Sequence, residues 1–166
     1  MRRRHLRAVL QIETDVYPSG WTRGIFLNEL LQTQTRGYWV AKVGRQIVGY
    51  VGVMFGVDEG HITTIAVHRE WQRQKVATRL MIHAMRETIA REYDALTLEA
   101  RVSNTGAHAL YEQFGLQSVG VRPGYYADNR EDAVVMWAHG LLLPEYVARL
   151  DAISADCDAV NTVEGS

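Results

Sequence analysis

The chain has 166 residues, 47% of them apolar, and its 18 Lys plus Arg against 19 Asp plus Glu leave a formal charge of -1. That length and apolar content suit one domain with a single sizeable core. The near balance of charge supplies no large basic field for gripping nucleic acid or an acidic membrane, so neither is expected as a partner.

Apolar residues recur at helical spacing from Leu6 to Ile12 and again from Trp21 to Leu31, broken between by Tyr17-Pro18-Ser19-Gly20. Two helices are predicted there. Tyr38 to Val43 and Ile47 to Phe55 are rich in β-branched and aromatic residues around Gly44-Arg45 and read as a hairpin, and His61 to His68 reads as a third strand. After Arg73 a stripe of Val76, Leu80, Met81, Ala84, Met85 and Ile89 predicts the longest helix of the molecule. Ala95 to Ala100 is a buried strand, and Ala107, Leu110, Tyr111 and Phe114 stripe a short helix that Asn104 caps and Gly115 ends. Leu116 to Val121 and Ala133 to Ala138 are a last pair of strands, joined by a long turn-rich loop over residues 123–130. A short helix follows from Leu141 to about Leu150, and the polar, acidic end is expected to be disordered. This order describes an α/β domain with a mixed central sheet.

The single cysteine, Cys157, excludes an internal disulfide and a cysteine-based metal cluster. No apolar run of signal-peptide or membrane-spanning length follows Arg2-Arg3-Arg4, so a cytoplasmic setting is expected. The six histidines show no pair at ligand spacing, and no metal is expected. No Gly-x-Ser-x-Gly elbow, Walker-type lysine loop or complete dinucleotide fingerprint occurs.

The informative segment runs from Ile62 to Ala77, a strand ending in a polar loop that opens a helix. The first turn of a helix carries unpaired N–H groups and the positive end of the macrodipole, so such a junction can hold a phosphate. Its segment Gln72-Arg73-Gln74-Lys75-Val76-Ala77 resembles the pyrophosphate loop of the GNAT acetyltransferases, R/Q-x-x-G-x-G/A, with Lys75 and Ala77 where glycines are usual. Leu98 to Leu116, containing Glu99, Asn104 and Tyr111, resembles the LEVRxSNxxAxxLYxxxGF block of RimI-type N-alpha-acetyltransferases. Gly124-Tyr125-Tyr126 with Glu131-Asp132-Ala133 resembles the end of that family, and Ile12-Glu13 and Tyr17-Pro18 with Trp21 its opening helices.

The resemblance implies a GNAT fold over residues 1–140, a mostly antiparallel mixed sheet flanked by helices, then a short helix over 141–153 and a tail over 154–166. The family's first strand precedes its first helix; with five residues before Leu6 that strand is expected to be short, absent or cut away. Acetyl-coenzyme A is the implied cosubstrate. Its pantetheine arm would lie along Ile65, Ala66 and Val67, and its pyrophosphate in the loop of Gln72, Arg73, Gln74, Lys75, Val76, Ala77 and Thr78. Arg73 and Lys75 would be counter-charges, and Lys75 would either crowd the diphosphate or add a cation. Asn104 would touch the cofactor, cap its helix, or both.

Acyl transfer to an amine needs a base, a donor to the oxyanion and an acid for the thiolate. By the resemblance, Glu99 is the base, through water, and Tyr111 the acid at the thioester sulfur, although its place on an apolar stripe also suits a core residue. Tyr17, Trp21, Tyr125 and Tyr126 would bind the acceptor. An α-amino group ionises about 2.5 pH units below a lysine, a difference of roughly 3 to 4 kcal/mol that suits a weak carboxylate base to a peptide N-terminus. The resemblance implies the same acceptor, first the N-terminal alanine of a small-subunit ribosomal protein. The rival readings are a GNAT enzyme acetylating lysine or a small-molecule amine, and a non-catalytic acetyl-coenzyme A sensor or partner subunit.

Overall fold

Three-to-four spacing of apolar residues puts Leu6, Val9 and Ile12 on one face of the first helix, α1 (Leu6–Val16). Thr22 then starts α2 (Arg23–Leu31), its hydroxyl oxygen accepting the Ile25 N–H. The hairpin follows as β1 (Arg36–Val43) and β2 (Gln46–Phe55), turning through Gly44, whose φ of 55° suits a residue without a Cβ. Next come β3 (Gly60–Val67), α3 (Val76–Ala90), β4 (Ala95–Arg101), α4 (Thr105–Gln113), β5 (Gln117–Tyr126), β6 (Glu131–His139) and α5 (Pro144–Thr162). The computed structural model describes residues 1–162, with side chains as far as Cys157.

The sheet order is β1-β2-β3-β4-β6-β5, antiparallel throughout except where β3 meets β4. This is the expected mixed, mostly antiparallel sheet. Its two faces carry separate cores. Phe26, Tyr38, Tyr50 and Ala66 pack with the apolar face of α1 on one side. Val51, Val53, Leu96, Leu98 and Met136 pack with Leu80, Met81 and Met85 of α3, with Tyr111 and Phe114, and with α5 on the other.

Several expectations change. Of the helices, α5 is longer than α3, at 19 residues against 15, and it continues past Leu150 to Thr162. Tyr146, Leu150, Ile153 and Cys157 form a narrow stripe at four-three-four spacing, and past Leu150 its members stand among Asp, Ser and Ala, which makes that end of the segment read as polar. Docking supplies the burial: the Tyr146 hydroxyl donates to the Phe114 carbonyl at 2.6 Å, and Arg86 of α3 meets Asp151 at 3.2 Å. Residues 163–166 of the expected tail lie outside the described residues. The loop over 123–130 is mostly hairpin, since β5 runs to Tyr126 and β6 starts at Glu131. An irregularity between Arg122 and Tyr126 lets the strand carry Pro123 and Gly124. Among the described residues no strand precedes α1, and no helix is long and apolar enough to cross a membrane.

Candidate active site

Strands β3 and β4 run together only where Gly60, His61 and Ile62 face Leu96, Thr97 and Leu98. Beyond that point β4 stays with β6 and the two parallel strands part, leaving the second half of β3 with a free edge. Which groups face that edge follows from the other side. The bond from the His68 N–H to the Val48 carbonyl, 2.9 Å, makes Gly49 and Val67 a non-hydrogen-bonded pair, and alternation puts Val51 and Ile65 in the same class. The main-chain groups of Ile65 and Val67 therefore point into the gap. Two side chains meet their carbonyls: the Tyr17 hydroxyl donates to Ile65 at 2.6 Å and the Gln72 amide to Val67 at 3.3 Å. The N–H groups remain directed into the opening. Ala66 is turned the other way, its main chain to β2 and its side chain into the α1 core.

The loop after β3 is bent by two non-glycine residues in the left-handed region, Arg73 at φ 63° and Lys75 at φ 59°. Left-handed backbone explains why glycine is usual at the latter position. Gln74 folds back to the Glu70 carbonyl at 2.9 Å. Lys75 is the N-cap of α3 and offers no side-chain cap, so the N–H groups of Val76, Ala77 and Thr78 open onto the loop. Its ammonium is turned away to Asp156 of α5, 3.1 Å distant, so it does not crowd those donors. Uncapped N–H groups at the positive end of α3, with Arg73 exposed beside them, fit a diphosphate. Asn104 caps α4, its Oδ1 accepting the Ala107 N–H at 3.1 Å.

Glu99 lies on β4 next to the parting of the strands, its side chain only 8% exposed. One carboxylate oxygen meets His61 Nε2 at 3.1 Å and the other Arg122 at 3.2 Å. Burial holds the His61 imidazole below its ordinary pKa, against the opposing pull of Glu99. Sequence reasoning missed both partners. Tyr111 is buried on α4, and its hydroxyl has no hydrogen-bond partner among the described residues. Burial pushes its pKa above the usual tyrosine value, with smaller contributions from the nearby hydroxyls of Tyr17 and Tyr126. Burial likewise pushes Tyr17 and Tyr126 up to about 12.

Tyr125 and Tyr126 stand edge to face with centroids 5.2 Å apart, and the Arg101 guanidinium lies 3.9 Å over Tyr126. Tyr125 and Tyr126 of β5 lie near Glu99, and Tyr126 in turn lies near Tyr17, just after α1, and Tyr111 of α4. Trp21 is placed differently. Its ring meets Phe26 and Tyr38, and its main-chain N–H donates to Glu13 at 2.7 Å, so it anchors the start of α2. Among the described residues no group of three or more His, Cys, Asp or Glu is placed to share a metal ion.

Comparison with known proteins places this geometry. The sequence model of the acetyltransferase (GNAT) family matches residues 6–116. A candidate ribosomal protein bS18-alanine N-acetyltransferase of Bacillus subtilis is 38% identical over 139 residues, covering 82% of this chain and 91% of that protein. An N-alpha-acetyltransferase of Saccharolobus solfataricus is 37% identical over 125 residues, covering 67% of this chain and 74% of that one. The crystal structure of the ribosomal-protein-S18-alanine N-acetyltransferase from Escherichia coli matches with a TM-score of 0.77 at 28% identity, covering 84% of this chain and 90% of that chain.

Proposed function

Because this chain belongs to the acetyltransferase (GNAT) family and is an acetyl-coenzyme A-dependent N-acetyltransferase, we propose that its acceptor is the N-terminal amine of a protein. The first choice is the N-terminal alanine of a small-subunit ribosomal protein. The observation that carries the chemistry is a pair of groups beside one gap: a carboxylate with both oxygens oriented, and the hydroxyl of a buried tyrosine that has no hydrogen-bond partner among the described residues. The acceptor rests on relatives whose names specify ribosomal-protein alanine or N-alpha acetylation.

Bound acetyl-coenzyme A supplies the acetyl group as a thioester. Ile65 and Val67 present main-chain N–H groups to its arm, and the first turn of α3 holds the diphosphate with Arg73. Glu99, through one water, takes the proton that frees the amine for attack on the carbonyl carbon. The Val67 N–H donates to the carbonyl oxygen as charge grows there. As the new C–N bond forms and the C–S bond breaks, the Tyr111 hydroxyl gives its proton to sulfur, and the second proton of the amine nitrogen leaves through water to restore the tyrosine. Tyr125 and Tyr126 close over the acceptor peptide, with Tyr17 beneath.

Incubation with acetyl-coenzyme A and peptides free or blocked at the N-terminus, read by mass spectrometry, tests the acceptor. Acetylation of the free α-amine alone is expected. Modification confined to lysine, or faster turnover of a small amine, would overturn the reading.

A further inference from the structure

The formal charge of -1 hides an uneven surface. A cavity of about 560 Å³ lies outside the acetyl-transfer gap, between α1 and the β1–β2 turn, and it is lined by Arg4 and Arg7 from one side and Lys42 and Arg45 from the other. All four are exposed, and among the described residues none has an acidic partner. No Asp or Glu lines the cavity, and none occurs in residues 1–12 or 40–47. Exposed Arg2 and Arg3 carry the positive surface past the cavity, making a stripe rather than a point. The field is felt by His5 within it: after burial, the charges of Lys42, Arg4, the N-terminal ammonium and Arg2 hold its imidazole below the ordinary pKa. Elsewhere the positive side chains near α5 and the β5–β6 turn are met by Asp156, Asp151, Asp128 and Glu131. A cluster of cations left unneutralised in a concave surface is suited to an external anion.

We propose that this groove binds a chain of phosphates, the backbone of an RNA strand, at a site separate from acetyl transfer. Arginine forks match phosphate oxygens in pairs, and a stripe that crosses from α1 to a turn matches an extended anion better than a single ion. No Phe, Tyr or Trp lines the cavity, whose aromatic rings are the imidazoles of His5 and His68, so the grip is chiefly on the phosphate backbone and carries little sequence preference.

Fluorescence anisotropy with a labelled single-stranded RNA, in saturating acetyl-coenzyme A so that the diphosphate loop is filled, tests the site. Four phosphate contacts predict a slope of about -3 in log affinity against log salt. Replacing Arg4, Arg7, Lys42 and Arg45 together by Ala should weaken binding at least about tenfold at low salt and flatten the slope. The paired variants Arg4→Ala with Arg7→Ala, and Lys42→Ala with Arg45→Ala, should each remove about half of it, and all three should keep the melting temperature and the rate of acetyl transfer to peptide. Absence of RNA binding, or binding that the variants leave unchanged, overturns the proposal. So does equal affinity for pyrophosphate, which indicates a small-anion site, or for poly-glutamate, which indicates an acidic polypeptide. Because RNA affinity is read without an acceptor amine, its failure leaves the acetyl-transfer reading untouched.

Discussion

His61 Nε2 lies 3.1 Å from the Glu99 carboxylate, although the two residues stand on different strands and His61 faces Thr97, not Glu99, in the ladder. With Arg122 on the other oxygen, Glu99 has little rotational freedom. Glu99→Gln keeps the size and one acceptor oxygen while losing the base. We expect turnover to fall by about 10²- to 10⁴-fold, with the dissociation constant of coenzyme A within about twofold of the parent. Stopped-assay rates and calorimetry check the two halves, and an undiminished rate removes Glu99 from the chemistry.

Tyr111 is the proton donor in the proposed reaction, and its raised pKa keeps it protonated above the ordinary tyrosine range. The rate should therefore show no alkaline decline up to about pH 10. Tyr111→Phe should lower turnover by about 10²-fold or more and leave cofactor affinity intact. A profile that falls in the parent between pH 8 and about 9.5 would assign the acid to another group.

Lys75 is tethered to Asp156, both partly exposed to solvent, so the tie itself adds little stability. Asp156→Ala should change the melting temperature negligibly. It should also free the ammonium toward the diphosphate loop, tightening coenzyme A by a few fold at low salt, with the gain fading near 0.5 M as screening shortens to a few ångströms. Weaker binding in this variant would show that the tether, rather than the free cation, serves the cofactor.

The β5–β6 turn is held by Glu131, which accepts the Ser103 N–H at 2.9 Å and pairs with Arg101 at 3.1 Å. Hydrogen bonds from Ser103, chiefly, hold its carboxyl down at about 2, below the ordinary 4.5. A depressed carboxylate stabilises the fold above its unfolded value and loses that contribution as pH falls through the folded one. Melting temperature should thus drop between about pH 4.5 and 2, and Glu131→Gln should flatten that part of the curve. Parallel curves for parent and variant would contradict the assignment.

Leu150 is 2% exposed at the centre of the α5 stripe. Leu150→Ala should cost about 2–5 kcal/mol in chemical denaturation, as expected for a core leucine. A loss under about 0.5 kcal/mol would mean that α5 is not docked in solution.

What could be read along the chain was what neighbours in sequence enforce. Helical stripes, the Asn104 cap, the Gly44 turn and the strand-loop-helix junction each depend on residues a few positions apart, so α1 to α4 and β1 to β4 were legible. The family blocks placed Glu99 and Tyr111 as candidates by the same local reading. Within 123–130, residues 127–130 are the turn that was read, but 123–126 were misjudged because Gly and Pro mark turns in isolation, whereas β5 continues through them to pair Tyr126 with Glu131. For α5, a stripe one side chain wide depends for its burial on the partner face offered by α3 and Phe114.

Local pattern alone specified the helices, most strands and the loop that opens α3, because hydrogen bonds and apolar spacing within a segment are written in that segment. Only the folded chain decided that β3 and β4 part after Ile62, that His61 and Arg122 close on Glu99, and that Arg4 and Arg7 face Lys42 and Arg45 across one cavity. Each of these joins residues from separate strands or helices, and their meeting depends on sheet order and register, which no stretch of sequence carries by itself.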